Sequence, residues 1–464
     1  HLQQTGMLRS VLLLLLCQFL PLVEICRTSA EAQASKEESV SQSAPTLLQV
    51  TLLYRHGERT PVHKFPSDPY KQLFRPYGSE QLLKEGVRQH FELGKYLRRR
   101  YSSLLPRRFN VTRMHVRSTD TDRTIMSAQA NLAGLFPEQC SAAADGAAQL
   151  PACYPVPIHT VPKPTDQLLK MSSPCPAYTR HWREFKLRPD GPYASAGRRF
   201  AWLAERARVG TGWRQGEPLG ISELWKIADP IAVWRSLGLK LPDWVDRDVI
   251  AGLEELRHLK FAWKFSEPKL YGSRIGALIA RLVGDMEARL AGRSNKILQV
   301  YSAHDSTVSA FLSAFGVFNN LQPPLAACAM LELYSDGEVR LFYRNASTTT
   351  TNSSLSADPP LPMLIPFCQK PCLLSQLAKQ MRKRGAHSDS GESMCELATD
   401  SSVSKTTVTT DSSSNAIFIV LFGLILCLAI ALLITCWLWN KERQLRLEFD
   451  SNMFANHISK TKDC

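Results

Sequence analysis

Acidic residues are in short supply. The chain carries 42 Asp and Glu against 56 Lys and Arg, a formal charge of +14, which suits nucleic acid, anionic lipid or an anionic substrate. The run Arg98-Arg99-Arg100 has no aromatic stacking platform beside it, so it reads as a solvated helix end, and no nucleic-acid partner is implied. Metal-ligand spacing is missing as well: no two histidines fall at H-x-x-x-H and the carboxylates form no cluster, which argues against a bound metal. No cofactor is implied. Long uncharged apolar runs are equally few, and the longest covers residues 416–439, 24 residues without a charge.

As a helix that run would measure about 36 Å against a hydrocarbon core of about 30 Å, so it predicts a single membrane span. Lys441, Arg443 and Arg446 follow it, placing the tail, 440–464, in the cytosol and everything before it outside. Residues 398–415 are dominated by Ser and Thr and read as a stalk suited to O-glycosylation. At the other end, His1 to Gly6 precede Met7, and a charged cap followed by the apolar Val11 to Leu16 predicts a signal peptide within residues 1–30. Residues 31–44 then form a polar linker. Such a chain enters an oxidising compartment. Once both ends are set aside, Cys140, Cys153, Cys175, Cys328, Cys368, Cys372 and Cys395 remain, an odd number, so at least one is unpaired within the chain. Sequons at Asn110, Asn345 and Asn352 suit the same lumenal side.

Between these ends the chain, 44% hydrophobic, is long enough for one large domain or two. Residues 47–61 read LLQVTLLYRHGERTP: a strand buried on both faces stops abruptly at two arginines, a histidine and a glycine. Two further short strands, 114–117 and 297–301, also run into polar residues. Ligand sites of open α/β sheets lie beyond the carboxyl ends of strands, so Arg55, His56, Arg123, His304 and Asp305 are expected to converge. Helices are predicted over 79–101, with Leu83, Val87, Phe91, Leu97 and Tyr101 inward, and over 273–290, with Ile275, Ile279, Leu282, Met286 and Leu290 on one face. Asp336-Gly337 predicts a tight hairpin between 330–334 and 339–343. The Trp-rich stretch 151–294 reads mostly as a helical cap.

The pattern R-H-G-x-R-x-P at Arg55, His56, Gly57, Arg59 and Pro61 resembles the signature of the histidine acid phosphatases, in their lysosomal, prostatic and testicular branch. Arg117-Ser-Thr-Asp120 running to Arg123-Thr124, Asn131 to Pro137, and Tyr301-Ser-Ala-His304-Asp305-Ser-Thr307 extend the likeness over about residues 50–397. The resemblance implies an α/β three-layer sandwich with a mostly parallel sheet and a smaller helical cap, as in phosphoglycerate-mutase-like folds, with residues 45–397 as the catalytic domain. It implies hydrolysis of phosphate monoesters through a phosphohistidine at His56, with Asp305 as general acid and Arg55, Arg59, Arg123 and His304 binding the phosphate. The physics agrees, since guanidinium forks match phosphate oxygens in pairs, and arginines around His56 should keep it neutral under acid. Glu58 and Thr60 stand where this branch often has Asp and Ser.

The resemblance also implies bridges Cys175–Cys395 and Cys368–Cys372. The family's usual partner for Cys328 falls near Val233, so Cys328 is expected as a buried free thiol, with Cys140 bonded to Cys153. It places the protein in the lysosomal membrane or, since residues 440–464 lack a tyrosine or acidic dileucine signal, at the cell surface, and it admits a homodimer. Two other readings stand beside it. One is an inositol polyphosphate phosphatase, a sister branch that usually shows His-Ala-Glu or His-Asp after the last strand. The other is a non-catalytic ectodomain holding a phosphorylated ligand. Alone, a His-Asp pair at a strand end is more often a core pair and an Arg-His a surface accident; the full signature reverses that. His63, His90, His115 and His159 have no such support and read as structural or exposed.

Overall fold

The computed structural model describes residues 44–139, 155–214, 216–345, 359–385 and 395, with 430, 432, 434–435 and 437–441 beyond them. The chain divides into two units, His1–Leu397 and Ala398–Cys464. In the second, residues 437–441 are helical, and no helix among the described residues is long and apolar enough to cross a membrane. The signal peptide, nearly all of the linker, the stalk and most of the expected span lie outside the described residues. So do Cys140, Cys153 and Asn352.

In the first unit the elements run β1 (Leu47–Arg55), α1 (Lys84–Arg100), β2 (Met114–Ser118), α2 (Asp122–Leu135), α3 (Pro176–Leu187), α4 (Pro192–Arg199), α5 (Ala201–Thr211), α6 (Ile221–Ser236), α7 (Arg247–Lys264) and α8 (Pro268–Leu290). They continue with β3 (Leu298–Ala303), α9 (Asp305–Ala314), β4 (Cys328–Tyr334), β5 (Val339–Arg344), β6 (Leu361–Met363) and α10 (Leu374–Lys383). The six strands form one sheet in the order β2-β3-β1-β4-β5-β6. Where a mostly parallel sheet was expected, the sheet is mixed. β1 and β2 lie parallel to the β3 between them, whereas β4, β5 and β6 add antiparallel. The reason is local: Asp336-Gly337, with Gly337 at φ +83°, turns β4 straight back into β5, and a short turn can only join antiparallel neighbours. The site-bearing half is parallel.

One apolar core fills the side of the sheet covered by α8, α9 and α10, around Ile275, Leu282, Phe311 and Leu377. Another, around Leu93, Leu97, Leu132 and Phe136, fills the side covered by α1 and α2. A third belongs to the cap, where Phe65, Phe185, Phe200, Leu256 and Trp234 pack among α3 to α7. Two bridges are present, Cys175–Cys395 and Cys368–Cys372, and Cys328 is a buried free thiol. Its expected neighbour position, Val233, is buried in the cap core instead.

The inward face of α1 differs from the expected one. Leu83, Leu97 and Tyr101 are buried, but Val87 and Phe91 are 40% and 39% exposed, and the buried face runs Gly86, Gln89, His90, Leu93, Gly94, Tyr96, Leu97. Close packing against α2 accounts for it. A Cβ on Gly94 would sit 2.1 Å from the Asn131 carbonyl oxygen, and one on Gly134 2.2 Å from that of Phe91, so the two backbones meet where apolar side chains would hold them apart. On α8 the expected face is buried except for Leu290, which is 40% exposed at its end.

Candidate active site

The parallel ladder brings the sequence-distant residues together. Arg55 pairs with Ala303, and Ser118 with Ser302, so the three strands end within about one residue of each other. His56 N–H then donates to the Ala303 carbonyl at 3.1 Å, and Thr119 N–H to that of Ser302 at 3.1 Å. Consequently His56 and His304, each the first residue past its strand, face one another with ring centroids 5.7 Å apart. Gly57 fixes the turn: a Cβ there would lie 2.5 Å from the Gly86 carbonyl oxygen, so only glycine lets the loop lie on the start of α1. His90, buried on α1, contacts the Arg55 carbonyl from below at 3.0 Å.

His56 Nδ1 lies 2.8 Å from the Gly57 carbonyl oxygen. Because a carbonyl only accepts, Nδ1 carries the proton and Nε2 keeps its lone pair. Burial first, then Arg123, Arg55 and Arg59, hold its pKa well below the usual histidine range. His304 is set by the same logic: Arg123 Nη2 approaches its Nδ1 at 3.5 Å, leaving Nε2–H to donate to Thr119 Oγ1 at 3.0 Å. Burial and then Arg123 and Lys170 depress it too.

Each arginine is paired with a carboxylate. Arg55 meets Asp305 at 3.3 Å and donates to the Pro323 carbonyl at 2.6 Å. Arg59 meets Asp229 at 2.6 Å, and Arg123 meets Glu80 at 2.7 Å. Asp229, in α6, also accepts from the Val62 N–H at 2.7 Å. Although burial opposes ionisation, Arg59 and these donors bring its pKa down to about 2. Asp305 Oδ2 accepts from Gln322 Nε2 at 2.8 Å. Burial works against its charge, but Arg55, Lys260 and Gln322 together hold it well below the usual carboxylate range.

Arg55, His56, Arg59, Arg123, His304 and Asp305 all line one cavity of about 600 Å³. Sequence reasoning missed its other walls: Lys170 before the cap helices, Asp229 on α6, Arg257, His258, Lys260 and Lys264 on α7, and Gln322. The available signal was weak, a charged residue at Asp229 inside the otherwise apolar run from Ile227 to Trp234. His63, expected to be structural or exposed, also lines this cavity, while His115 and His159 stack on each other at the sheet edge, 5.1 Å apart. Asn110 and Asn345 are exposed.

A family model described as "Histidine phosphatase superfamily (branch 2)" matches residues 46–350. The chain is 37% identical to the testicular acid phosphatase of Mus musculus over 357 residues, 71% of this chain and 78% of the relative. It is 35% identical to the lysosomal acid phosphatase of Xenopus laevis over 334 residues, 70% and 73% of the two chains. With the human prostatic acid phosphatase it shares 35% over 350 residues, 71% and 83%. Among solved structures, the phytase from Citrobacter braakii superposes with a TM-score of 0.54 at 16% identity, over 73% of this chain and 98% of that one, a likeness of fold. From the level ends of β1, β2 and β3 to the matched segment, the chain belongs to the histidine phosphatase superfamily, branch 2.

Proposed function

We propose that the protein is an acid phosphatase that hydrolyses phosphate monoesters through a phosphohistidine at His56. The observation that carries this reading is an imidazole whose tautomer is fixed by the Gly57 carbonyl, buried and neutral between three arginines at the mouth of β1. Arg55, Arg59 and Arg123 hold the phosphoryl oxygens, and their mutual repulsion in the empty pocket is relieved when the anion enters. His304 stands across from His56 in the same cavity, its ring held by Thr119 Oγ1 and Arg123, and serves as a further phosphate ligand once the entering anion draws Arg123 away from its Nδ1. His56 Nε2 attacks phosphorus, the P–O ester bond breaks, and its electron pair leaves as an alkoxide that takes the proton of Asp305. Water then attacks the phosphohistidine, gives a proton to Asp305, and releases inorganic phosphate and neutral His56.

Asp305 is ionised while Arg55 faces it. Phosphate monoesters lose their second proton near about pH 6, so at lower pH the arriving monoanion brings the proton. As Arg55 turns its charge to the phosphate, Asp305 becomes basic enough to accept that proton and act as general acid. The rate should therefore fall as pH rises through about 6, and on the acid side only when His56 itself protonates. The test is hydrolysis of an aryl phosphate by the full chain across about pH 3 to 8 with chelator present, beside His56→Ala. A maximum below about pH 6 that the variant abolishes supports the reading. Undiminished turnover by the variant would sink it, and a variant that holds phosphate without turnover separates enzyme from binding module.

We further propose a type I, single-pass, glycosylated membrane protein of the lysosome or cell surface with residues 45–397 as its catalytic domain. The uncharged run 416–439 and the basic residues after it support this topology, as do the exposed sequons at Asn110 and Asn345. Carbonate extraction and glycosidase shift of the expressed chain test it, and sedimentation in detergent tests the homodimer.

A further inference from the structure

The three arginines and Asp305 account for one anion, yet the cavity holds more positive charge than one phosphoryl group needs. Arg257, Lys260 and Lys264 occupy positions i, i+3 and i+7 of α7 and line its cap wall, a row about 10 Å long at 1.5 Å per residue. Their carboxylate neighbours are engaged elsewhere: Asp229 with Arg59, Asp305 with Arg55, and Glu254 with Arg235. Among the described residues Lys260 and Lys264 form no ion pair; the Lys260 ammonium lies 5.7 Å from the Trp225 ring centre and 5.8 Å from that of Phe261. Burial, then repulsion from Lys260, pushes Lys264 down to about 8, so in the acid range Lys264 remains charged. Half-buried cations in a row, facing a cavity, whose nearest carboxylates are each paired with another arginine, leave a place for an anion from outside.

We propose that this wall of α7 is a second anion subsite, and that the preferred substrates are small phosphate monoesters carrying a further phosphate or carboxylate a few bonds from the one that reacts. The assignment rests on the phosphatase reading of the first subsite. Binding energy from the remote anion orients the reacting phosphate towards His56 and raises kcat/KM without entering the chemistry. Arg257 also reaches Asp305 through Gln322, and Lys260 acts on the Asp305 charge, so Lys264 is the cleanest position to change.

The test compares substrates with the same alkoxide leaving group. The full chain is given butyl phosphate, butane-1,4-diol bisphosphate, hexane-1,6-diol bisphosphate and the ω-carboxybutyl phosphate at about pH 5. Two equivalent ends account for a factor of two; beyond it, at least tenfold higher kcat/KM is expected for one bisphosphate. Lys264→Met should cut that preference at least threefold and Lys264→Glu should bring it to two or below, with butyl phosphate turnover within about twofold of the unaltered protein. A gain for the carboxylate substrate equal to that of the bisphosphate would show that any remote anion serves, and a smaller one that a phosphate is selected; both support the subsite. A bisphosphate preference of two or less in the unaltered protein, or one that Lys264→Glu leaves in place, overturns it. Failure to hydrolyse butyl phosphate at all would instead count against the phosphatase reading.

Discussion

The cavity has two walls of different origin. The sheet wall is made of strand ends, and its groups sit in contiguous sequence: Arg55-His56-Gly57, Arg117 to Arg123, and His304-Asp305. Backbone ladder bonds hold them, so their positions are set by register rather than by side-chain packing. The cap wall is made of helix faces, where Arg257, Lys260 and Lys264 are spaced three to seven residues apart on α7 and Asp229 comes from α6. The contrast teaches a division of labour: rigid strand ends place the reacting groups, and helix surfaces, whose exposed residues can change without disturbing a ladder, shape what is presented to them.

Substitutions on the two walls should therefore differ in size and kind. His56→Ala removes the nucleophile and should lower kcat by at least about 10⁴ while the unfolding midpoint stays put, a result read from single-turnover kinetics and thermal unfolding. Asp305→Asn keeps shape and loses the proton; a drop of about 10² to 10⁴ is expected for alkyl phosphates and a much smaller one for aryl phosphates with good leaving groups. Equal losses for both substrates would remove Asp305 from the acid role. Gly57→Ala pushes the loop off Gly86 and should cost about 10² in turnover through misplacement of His56, together with about 1–3 kcal/mol of stability by denaturant titration.

On the cap wall, Asp229→Asn should raise KM about tenfold through a loosened Arg59 and lower kcat less. It carries a pH signature as well. The carboxyl is depressed to about 2 in the fold against about 3.9 unfolded, so its stabilisation is complete above about pH 4 and is lost as pH falls towards 2. Unfolding midpoints measured from pH 5 to 2 should fall less steeply in Asp229→Asn than in the unaltered protein.

What could be read from the sequence follows the same division. Strand ends are contiguous in sequence, so three motifs named six residues that the structure brings to one cavity, and the Asp336-Gly337 pair named its hairpin. Helix faces meet partners that sequence periodicity does not see. On α1 the apolar residues Val87 and Phe91 pointed to the wrong face, because the real contact with α2 is made through Gly94 and Gly134 with no side chain to count. Asp229 and Glu80, which anchor Arg59 and Arg123, belong to no motif, and their partners lie 170 and 43 residues away. The mixed sheet was hidden for a related reason: strand pairing direction depends on connections, and only the β4–β5 turn is short enough to declare its own.

The central claim is that His56 carries the phosphoryl group. Its most direct test is to mix the enzyme with a phosphate monoester labelled in the phosphoryl group at about pH 5, quench in alkali within milliseconds, and map the label by peptide. Phosphohistidine survives base, so the account predicts label on the peptide containing His56, formed and lost at rates that match turnover, and none with His56→Ala. Full turnover with no label on that peptide at any quench time would contradict it.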